Sequence, residues 1–179
     1  MSRTEPHAPE TPSSLSITPP RATDAAAVHA LIARCPPLDR NSLYCNLLQC
    51  TDFAATCALA RLDGRVVGFV SGYRPPAQPA VLFIWQVAVD RIARGHGLAR
   101  RLILDILDRD ACASVAWIHT TVTPGNGPSR AMFTRLAAEL GTGVTVRPHF
   151  DKHVHLAGQA DSEELFLIGP FIPRGTTGD

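Results

Sequence analysis

Two glycines lie where a strand-like segment passes into a helix-like one, and their spacing suits the binding of phosphate. Residues 82–89 are β-branched and aromatic, and Arg94-Gly95-His96-Gly97-Leu98-Ala99 opens an amphipathic stretch. Glycines at such a junction let backbone N–H groups turn toward one point, and the helix behind them carries about half a positive charge at its N-terminus. An arginine at the mouth strengthens the attraction. The turn therefore predicts a phosphate or pyrophosphate site.

Two other phosphate motifs do not fit these residues. A dinucleotide fingerprint, G-x-G-x-x-G, needs a third glycine where Arg100 stands. A P-loop needs G-K-[ST], and the single lysine of the chain is Lys152. The alternative, that the two glycines only form a β-to-α turn, stays open when these six residues are taken alone.

The composition limits the class of protein. The 179 residues are 45% hydrophobic and 18% charged, with a formal net charge of +1, which indicates one ordinary globular domain. No basic patch points to nucleic acid or a membrane surface, and no apolar run is long enough to span a bilayer. We expect a cytoplasmic protein without a signal peptide. Its domain is expected over 15–172, between a disordered tail at 1–14 and a flexible tail at 173–179.

Five cysteines, Cys35, Cys45, Cys50, Cys57 and Cys112, are irregularly spaced. They form no C-x-x-C pair and have no zinc-site spacing. Most are expected to be small buried side chains in a reducing compartment. A catalytic thiol remains the alternative.

Hydrophobic periodicity predicts a mixture of strands and helices. Asp63-Gly64 is a turn pair typical of two-residue hairpins, so residues 56–62 and 65–73 are predicted to pair. The other predicted elements are an edge strand at 15–17, a helix through 27–32, a short helix at about 43–48, a strand at 81–89, a helix over 97–109, a strand at 115–122, a helix over 128–140 and a strand at 165–168. Residues 141–162 are predicted to be irregular and polar.

The predicted order, β-α-α-β-β-β-α-β-α-β, matches no doubly wound nucleotide fold. Together with the Arg-x-x-Gly-x-Ala spacing of residues 94–99, it resembles the GCN5-related N-acetyltransferases. The resemblance implies an α/β (α+β) fold with a central mixed, mostly antiparallel sheet flanked by helices. In that fold a splayed strand pair admits the pantetheine arm of acetyl-CoA, which is the implied co-substrate, and the reaction needs no metal.

Four segments outside the phosphate turn narrow the resemblance to one family of these acetyltransferases. They are LDRNSLYCNLLQC at 38–50, GFVSGY at 68–73, WQVAV at 85–89 and IGPF at 168–171. These segments are similar to the diaminobutyrate acetyltransferase family of ectoine biosynthesis, over about residues 15–172. The resemblance implies acetyl transfer to the side-chain (γ) amine of L-2,4-diaminobutyrate and a homodimer.

Carboxylates are the first requirement of an amine pocket, because an alkyl amine has a pKa of about 10.4 and arrives protonated. The candidates are Asp39 and either Glu163 or Glu164, with Asp39 and Glu164 expected to be catalytic. In the alternative interpretation Asp39 only caps a helix, and the glutamates form a solvated turn ahead of the last strand.

Aromatic and polar residues complete the expected amine site. Tyr44 lies one helical turn beyond Asn41, and Trp85 lies in mid-strand, where its ring can cover an ammonium group. Tyr44 and Trp85 are expected in the catalytic set, with a core position as the alternative for each. Asn41 and His155 are further expected substrate contacts.

The resemblance also implies the cofactor contacts. In these contacts the main chains of Val87 and Val89 form hydrogen bonds with the pantetheine arm. The set is Val87, Val89, Arg94, Gly95, His96, Gly97, Leu98, Ala99, Asn126 and Ser129. Many members protonate the departing thiolate with a tyrosine, and Phe133 stands in the expected register here. A water molecule or Asn126 is the expected substitute.

The most metal-like cluster is His149, His153 and His155 with Asp151. It has no cysteine support, so we predict no metal site; a substrate-carboxylate contact, a dimer contact and a plain surface loop stay open. Two alternatives to the implied activity also remain. One is an acetyltransferase for another small diamine or amino acid, and the other is an inactive acyl-CoA-binding regulator.

Overall fold

The computed structural model describes residues 14–175 and has a seven-stranded sheet flanked by four α-helices. The strands are β1 (Leu15–Thr18), β2 (Ala58–Leu62), β3 (Arg65–Tyr73), β4 (Val81–Val89), β5 (Trp117–Val122), β6 (Val144–Phe150) and β7 (Glu163–Ile168). The helices are α1 (Ala25–Ala33), α2 (Leu43–Gln49), α3 (Leu98–Leu107) and α4 (Gly127–Glu139), with short 3₁₀ turns at Ala22–Asp24, Ala54–Thr56, Arg91–Ala93 and Asp110–Cys112. The strand order is β1-β2-β3-β4-β5-β7-β6, antiparallel except for the parallel pair β4–β5.

The ends of the described segment are tied to the domain. Asp63 and Gly64 have φ values of 50° and 79°, as a tight hairpin turn requires. The Asp63 carboxylate accepts a hydrogen bond from the backbone N–H of Ser14 at 2.9 Å, and Arg174 forms an ion pair with Asp108. Ser14 and Arg174, both expected in tails, are thus held in place, while residues 1–13 and 176–179 of those tails lie outside the described part of the chain.

Each face of the sheet has its own hydrophobic core. Helices α3 and α4 cover one face, where Leu102, Ile106 and Leu136 are fully buried. Helix α1 covers the other face over β2–β4, where Leu31 and Phe69 are fully buried. Apolar residues of α3 recur at helical spacing, which explains why the sequence places this helix well.

A β-bulge in β4 changes the direction of its side chains. The β3–β4 register shifts between Ser71 and Gly72, so Trp85 has no residue opposite it in β3. Ile84, before the bulge, belongs to the core under α3, and Ala88, after it, belongs to the core under α1. Because a bulge inserts one extra residue, the alternation of side chains along β4 changes face at Trp85.

The parallel pair β4–β5 opens beyond this bulge. The two strands pair from Val81 opposite Trp117 to Ile84 opposite Thr120, and β5 does not pair with residues 85–89. The open edge of β4 therefore faces a gap in the sheet, as expected for the splayed strand pair.

The prediction that residues 141–162 are irregular was wrong for residues 144–150, whereas residues 151–162 contain no helix or strand. Residues 144–150 form β6, which pairs with β7 at the edge of the sheet, and β7 itself begins at Glu163. After Val144 every residue of β6 is exposed, so the strand shows no alternation of buried and exposed positions. Pro148 also argues against a central strand but is tolerated at an edge.

Candidate active site

The predicted phosphate turn has the backbone geometry that it needs. Gly95 and Gly97 have φ values of 86° and 69°, and Gly97 is the N-cap of α3. Positive φ is strained for other residues. The Nε atom of Arg94 donates to the carbonyl oxygen of Val89 at 2.9 Å, which fixes the guanidinium beside the turn. The first N–H groups of α3 and this charge converge on one point.

A cavity of about 500 Å³ extends from the turn into the opened sheet. It is lined by residues 35–38, by Val87 and Val89, by Ala93, Arg94, Gly95 and 97–100, and by Asn126, Pro128, Ser129, Met132 and Arg135. Arg100 and Arg135 were absent from the predicted cofactor set. Helical spacing was the missed signal, since Pro128, Met132 and Arg135 recur on one face of α4.

The main chain of Val87 and Val89 points into the gap. The N–H of Asp90 donates to Val67 at 2.8 Å, which makes the neighbouring pair Gly68–Val89 a non-hydrogen-bonded pair of the antiparallel ladder. The N–H and C=O groups of Val89 therefore point away from β3, and those of Val87, two residues earlier, do the same. The Val89 carbonyl oxygen already accepts from Arg94 Nε, and the remaining groups on this edge can reach an extended ligand.

Helix α4 begins beside the same cavity. The Asn126 Oδ1 atom accepts a hydrogen bond from the Ser129 N–H at 3.1 Å and so caps the helix. The Asn126 Nδ2 group stays available as a donor. Phe133, placed by sequence in the register of a site tyrosine, is 3% exposed and lies in the core under α4. Met132, the residue before it on α4, lines the cavity.

Two carboxylates meet on the side of the sheet that α1 covers only in part. Asp39 is exposed on the α1–α2 loop, and Glu163 is half-buried on β7. Burial raises the pKa of Glu163, the negative charge of Asp39 raises it further, and a hydrogen bond from Thr121 lowers it. The capping alternative for Asp39 is wrong, because the Ser42 Oγ atom accepts the capping bond from the Cys45 N–H at 3.1 Å.

Glu164 points the other way. Successive residues of a strand alternate faces, and Glu164 forms an ion pair with Arg130 of α4, whose guanidinium lies 5.0 Å from the ring centroid of Phe166. The structure brings Glu163, and not Glu164, together with Asp39. Both glutamates lie within β7, so a solvated turn ahead of the strand was also wrong.

The aromatic candidates are accessible. Tyr44 is 69% exposed and Trp85 is 47% exposed, which rules out a core position for either ring. Trp85 meets Tyr73 edge to face, with 6.5 Å between ring centroids. Asn41 is engaged elsewhere, since its Nδ2 group donates to Gln86 Oε1 at 3.2 Å.

The histidine cluster forms a self-contained turn. Asp151 accepts hydrogen bonds from the N–H groups of His153 and Val154, and these bonds lower its pKa. His155 Nδ1 accepts from the Asp151 N–H at 2.8 Å, and His149 lies in β6. No hydrogen bond joins His155 to Asp39 or Glu163, and no group of three metal-ligating side chains occurs within residues 14–175.

Four of the five cysteines are poorly suited to act as nucleophiles. All five are free, and all but Cys45 are buried. Burial raises the pKa of Cys45 and Cys112, that of Cys50 to about 11 and that of Cys57 to about 12. Such thiols stay protonated at neutral pH and are poor nucleophiles.

Comparisons with known proteins match this architecture. The model described as "Acetyltransferase (GNAT) family" matches residues 25–138, which contain the phosphate turn and the bulged strand. L-2,4-diaminobutyric acid acetyltransferase from Methylotuvimicrobium alcaliphilum is 47% identical over 157 residues, 88% of this chain and 91% of that protein. The enzyme of that name from Bordetella parapertussis is 48% identical over 156 residues, 87% of this chain and 84% of that protein.

A solved structure extends the likeness to three dimensions. Diaminobutyrate acetyltransferase EctA from Paenibacillus lautus, in complex with its substrate L-2,4-diaminobutyric acid and coenzyme A, has a TM-score of 0.85 and 37% identity, covering 89% of this chain and 96% of that one. The fold and the phosphate turn define an acetyltransferase of the GNAT class, as predicted. The chain belongs to the GNAT family and, within it, to the L-2,4-diaminobutyric acid acetyltransferases.

Proposed function

We propose that this chain transfers the acetyl group of acetyl-CoA to the γ-amine of L-2,4-diaminobutyrate, giving N4-acetyl-L-2,4-diaminobutyrate and CoA. The observation that carries the proposal is the opened strand pair that leads to a phosphate turn, with Asp39 held against the same strand through Gln86 and its charge raising the pKa of Glu163. Two carboxylates complement a substrate with two ammonium groups. The bound ligands of the Paenibacillus lautus enzyme support the same assignment.

The residues present fit acetyl-CoA. In the proposal the pyrophosphate takes the N–H groups of residues 95–99, with Arg94, Arg100 and Arg135 supplying positive charge. His96 is exposed on this turn. The pantetheine arm bonds the main chain of Val87 and Val89, and Asn126 and Ser129 contact it from α4.

The chemistry assigned to the site is direct acyl transfer. Asp39 holds the ammonium form of the amine, and Glu163 accepts a proton from it, because burial and the charge of Asp39 raise the pKa of Glu163 and make it a stronger base than an ordinary glutamate. The amine nitrogen then bonds the acetyl carbon, the C–S bond breaks with its electron pair going to sulfur, and the second proton lost by the nitrogen neutralises the thiolate, giving the amide and the CoA thiol. Main-chain donors of β4 stabilise the developing oxyanion, and Asn126 Nδ2 donates a hydrogen bond to the departing thiolate. Trp85 and Tyr44 form the proposed wall around the ammonium groups.

The identity of the product tests the assignment. A pocket that binds the α-amine and carboxylate leaves the γ-amine nearest the acetyl carbon, and placement of this kind is worth several kcal/mol. We expect γ-acetylation to exceed α-acetylation by about a hundredfold, equal to about 2.7 kcal/mol between the two transition states. Thioester cleavage with a panel of diamines, followed by fragmentation mass spectrometry, measures this ratio. A mainly α-acetylated product, or 1,3-diaminopropane reacting as fast as diaminobutyrate, would contradict the proposal.

We also propose a homodimer in the cytoplasm. The dimer is supported by exposed apolar side chains on and beside the edge strand β6, at Val146, Phe150 and Val154. Five free cysteines suit a reducing compartment. No helix among residues 14–175 has the length and apolarity to cross a membrane.

A further inference from the structure

Gln86 is a buried polar residue in the strand that borders the opened gap. Gln86 is 9% exposed. Burying a side-chain amide costs free energy unless both its oxygen and its nitrogen are hydrogen-bonded. Both ends are bonded here. The Nε2 group donates to the main-chain oxygen of Asp39 at 2.9 Å, and the Oε1 atom accepts from Asn41 Nδ2 at 3.2 Å.

Both bonds go to the loop that carries Asp39. This loop, residues 34–42, has no helix or strand of its own. Within residues 39–41 the hydrogen bonds that the described structure contains are those two bonds to Gln86. Asp39 itself is exposed, so packing does not fix its carboxylate. The first part of the loop is held by the Arg34–Asp90 ion pair and the buried Cys35, and Gln86 holds residues 39–41.

Gln86 is also a residue of β4, the strand that is proposed to contact the acetyl group. The residue follows the bulge at Trp85 and precedes Val87, whose main chain points into the gap. A single side chain thus links the loop of the proposed ammonium-binding carboxylate to the strand of the proposed thioester contacts.

We propose that Gln86 is a positioning residue that holds the Asp39 loop against β4, so that the Asp39 carboxylate lies opposite Glu163 at the distance the diamine needs. This inference rests on the proposed function, because it assigns Gln86 a role through Asp39. A misplacement of about 1 Å at a reacting group can lower a rate about a hundredfold, so the two hydrogen bonds that hold residues 39–41 have a large effect.

A double-mutant cycle on the full chain tests the proposal. Gln86→Met keeps the size of the side chain and removes both hydrogen bonds. We expect kcat/KM for diaminobutyrate to fall about tenfold or more, while the Kd of acetyl-CoA measured by calorimetry stays within about twofold. In an Asp39→Asn background the same substitution should change kcat/KM less than about twofold, because effects that act through one group are not additive. Gln49→Met is the matched control, since Gln49 is also buried, at 1% exposure, but bonds Asn46 rather than the loop.

The outcomes distinguish failure of the proposed role of Asp39 from failure of the positioning role of Gln86. An Asp39→Asn enzyme as active as the wild type overturns the proposed role of Asp39 and the positioning role together. If Asp39→Asn is impaired and Gln86→Met lowers kcat/KM by the same factor in both backgrounds, only the positioning role fails. Should Gln86→Met not fold, Gln86→Glu replaces it in the cycle. That variant retains the bond from Asn41 and places an acceptor against the Asp39 carbonyl, and wild-type kcat/KM in it rejects the proposal.

Discussion

Asp39 and Glu163 have different environments, and the difference assigns them different work. Asp39 is exposed, which makes it accessible to an ammonium group arriving from solvent. Glu163 is half-buried, and burial together with the charge of Asp39 raises its pKa, which suits a group that accepts a proton. In the proposed mechanism, the two carboxylates therefore divide binding and proton transfer between them.

The pH dependence of the reaction should report this coupling. As a base, Glu163 must be ionised, so kcat/KM falls as the pH drops through its raised pKa. Asp39→Asn removes the negative charge that raises this pKa, and the acidic limb of the kcat/KM profile should therefore move to lower pH. The maximum of the profile should also fall by about tenfold or more, about 1.4 kcal/mol, because the ammonium loses its partner.

Profiles of kcat/KM for diaminobutyrate across the acid range measure both effects. Asp52→Asn is the matched control, since Asp52 is an exposed carboxylate beyond the end of α2. The acidic limb and the maximum of the kcat/KM profile of this variant should match those of the wild type. If the acidic limb of the Asp39→Asn profile stays at the wild-type pH, the charge of Asp39 does not affect the pKa of the catalytic base.

For single residues, the sequence indicated which residue types suit the site better than it indicated the direction in which each side chain points. Tyr44 and Trp85 stood out because the chain has only two tyrosines and two tryptophans, and Asp39 stood out because it lies on the loop that enters the second helix. The choice between Glu163 and Glu164 depended on which residue begins β7, because one step along a strand reverses the face of every side chain. Gln86, Arg100 and Arg135 were missed, since their roles depend on contacts with segments distant in the sequence.

At the scale of the elements, the phosphate turn depends on a glycine at the N-cap of α3. Gly97 adopts the left-handed conformation with φ of 69°, and a Cβ atom there would lie 3.0 Å from the Arg100 guanidinium. Asn and Asp adopt this conformation more readily than most residues. Both can therefore be introduced with a similar backbone cost, which isolates the effect of charge.

Gly97→Asp should weaken acetyl-CoA binding by about tenfold or more, or about 1.4 kcal/mol, because it places a negative charge at the pyrophosphate site. Gly97→Asn should weaken binding less, since it adds nearly the same bulk without the charge. Calorimetric titration with acetyl-CoA gives both affinities, and thermal unfolding checks that the two variants are equally stable. Equal affinities for the wild type and the Asp variant would reject the phosphate assignment.

Periodicity predicted the elements that have one buried face and failed for the element without one. The hairpin at Asp63-Gly64, the strand β4 and the helices α3 and α4 lie close to their predicted positions, because apolar residues recur there with the period of the element. Strand β6 is exposed along nearly its whole length, so pairing with β7 rather than its own pattern makes it a strand. The bulge at Trp85 was equally invisible, since it is a property of the β3–β4 register.

For the whole molecule, the order of elements and the glycine turn were sufficient to predict the fold, because few arrangements combine a central hairpin, one parallel crossover and a phosphate turn after the fourth strand. Association was not predictable in the same way, since it depends on which surfaces remain uncovered. Strand β6 lies at the end of the sheet, and edge strands with apolar side chains pair readily with another chain. A second copy related by a twofold axis can use this patch on both sides.

We expect the protein to be a dimer by light scattering and the combined substitution Val146→Lys, Val154→Lys to shift it toward the monomer. The two side chains are 39% and 78% exposed, so lysine at these positions costs the single chain little, while burying two charges in each half of an interface opposes association. Ile92→Lys is the matched control, because Ile92 is a 53% exposed aliphatic residue between β4 and α3. A monomeric wild type would contradict the homodimer, and a doubly substituted protein that stays dimeric would place the interface away from β6.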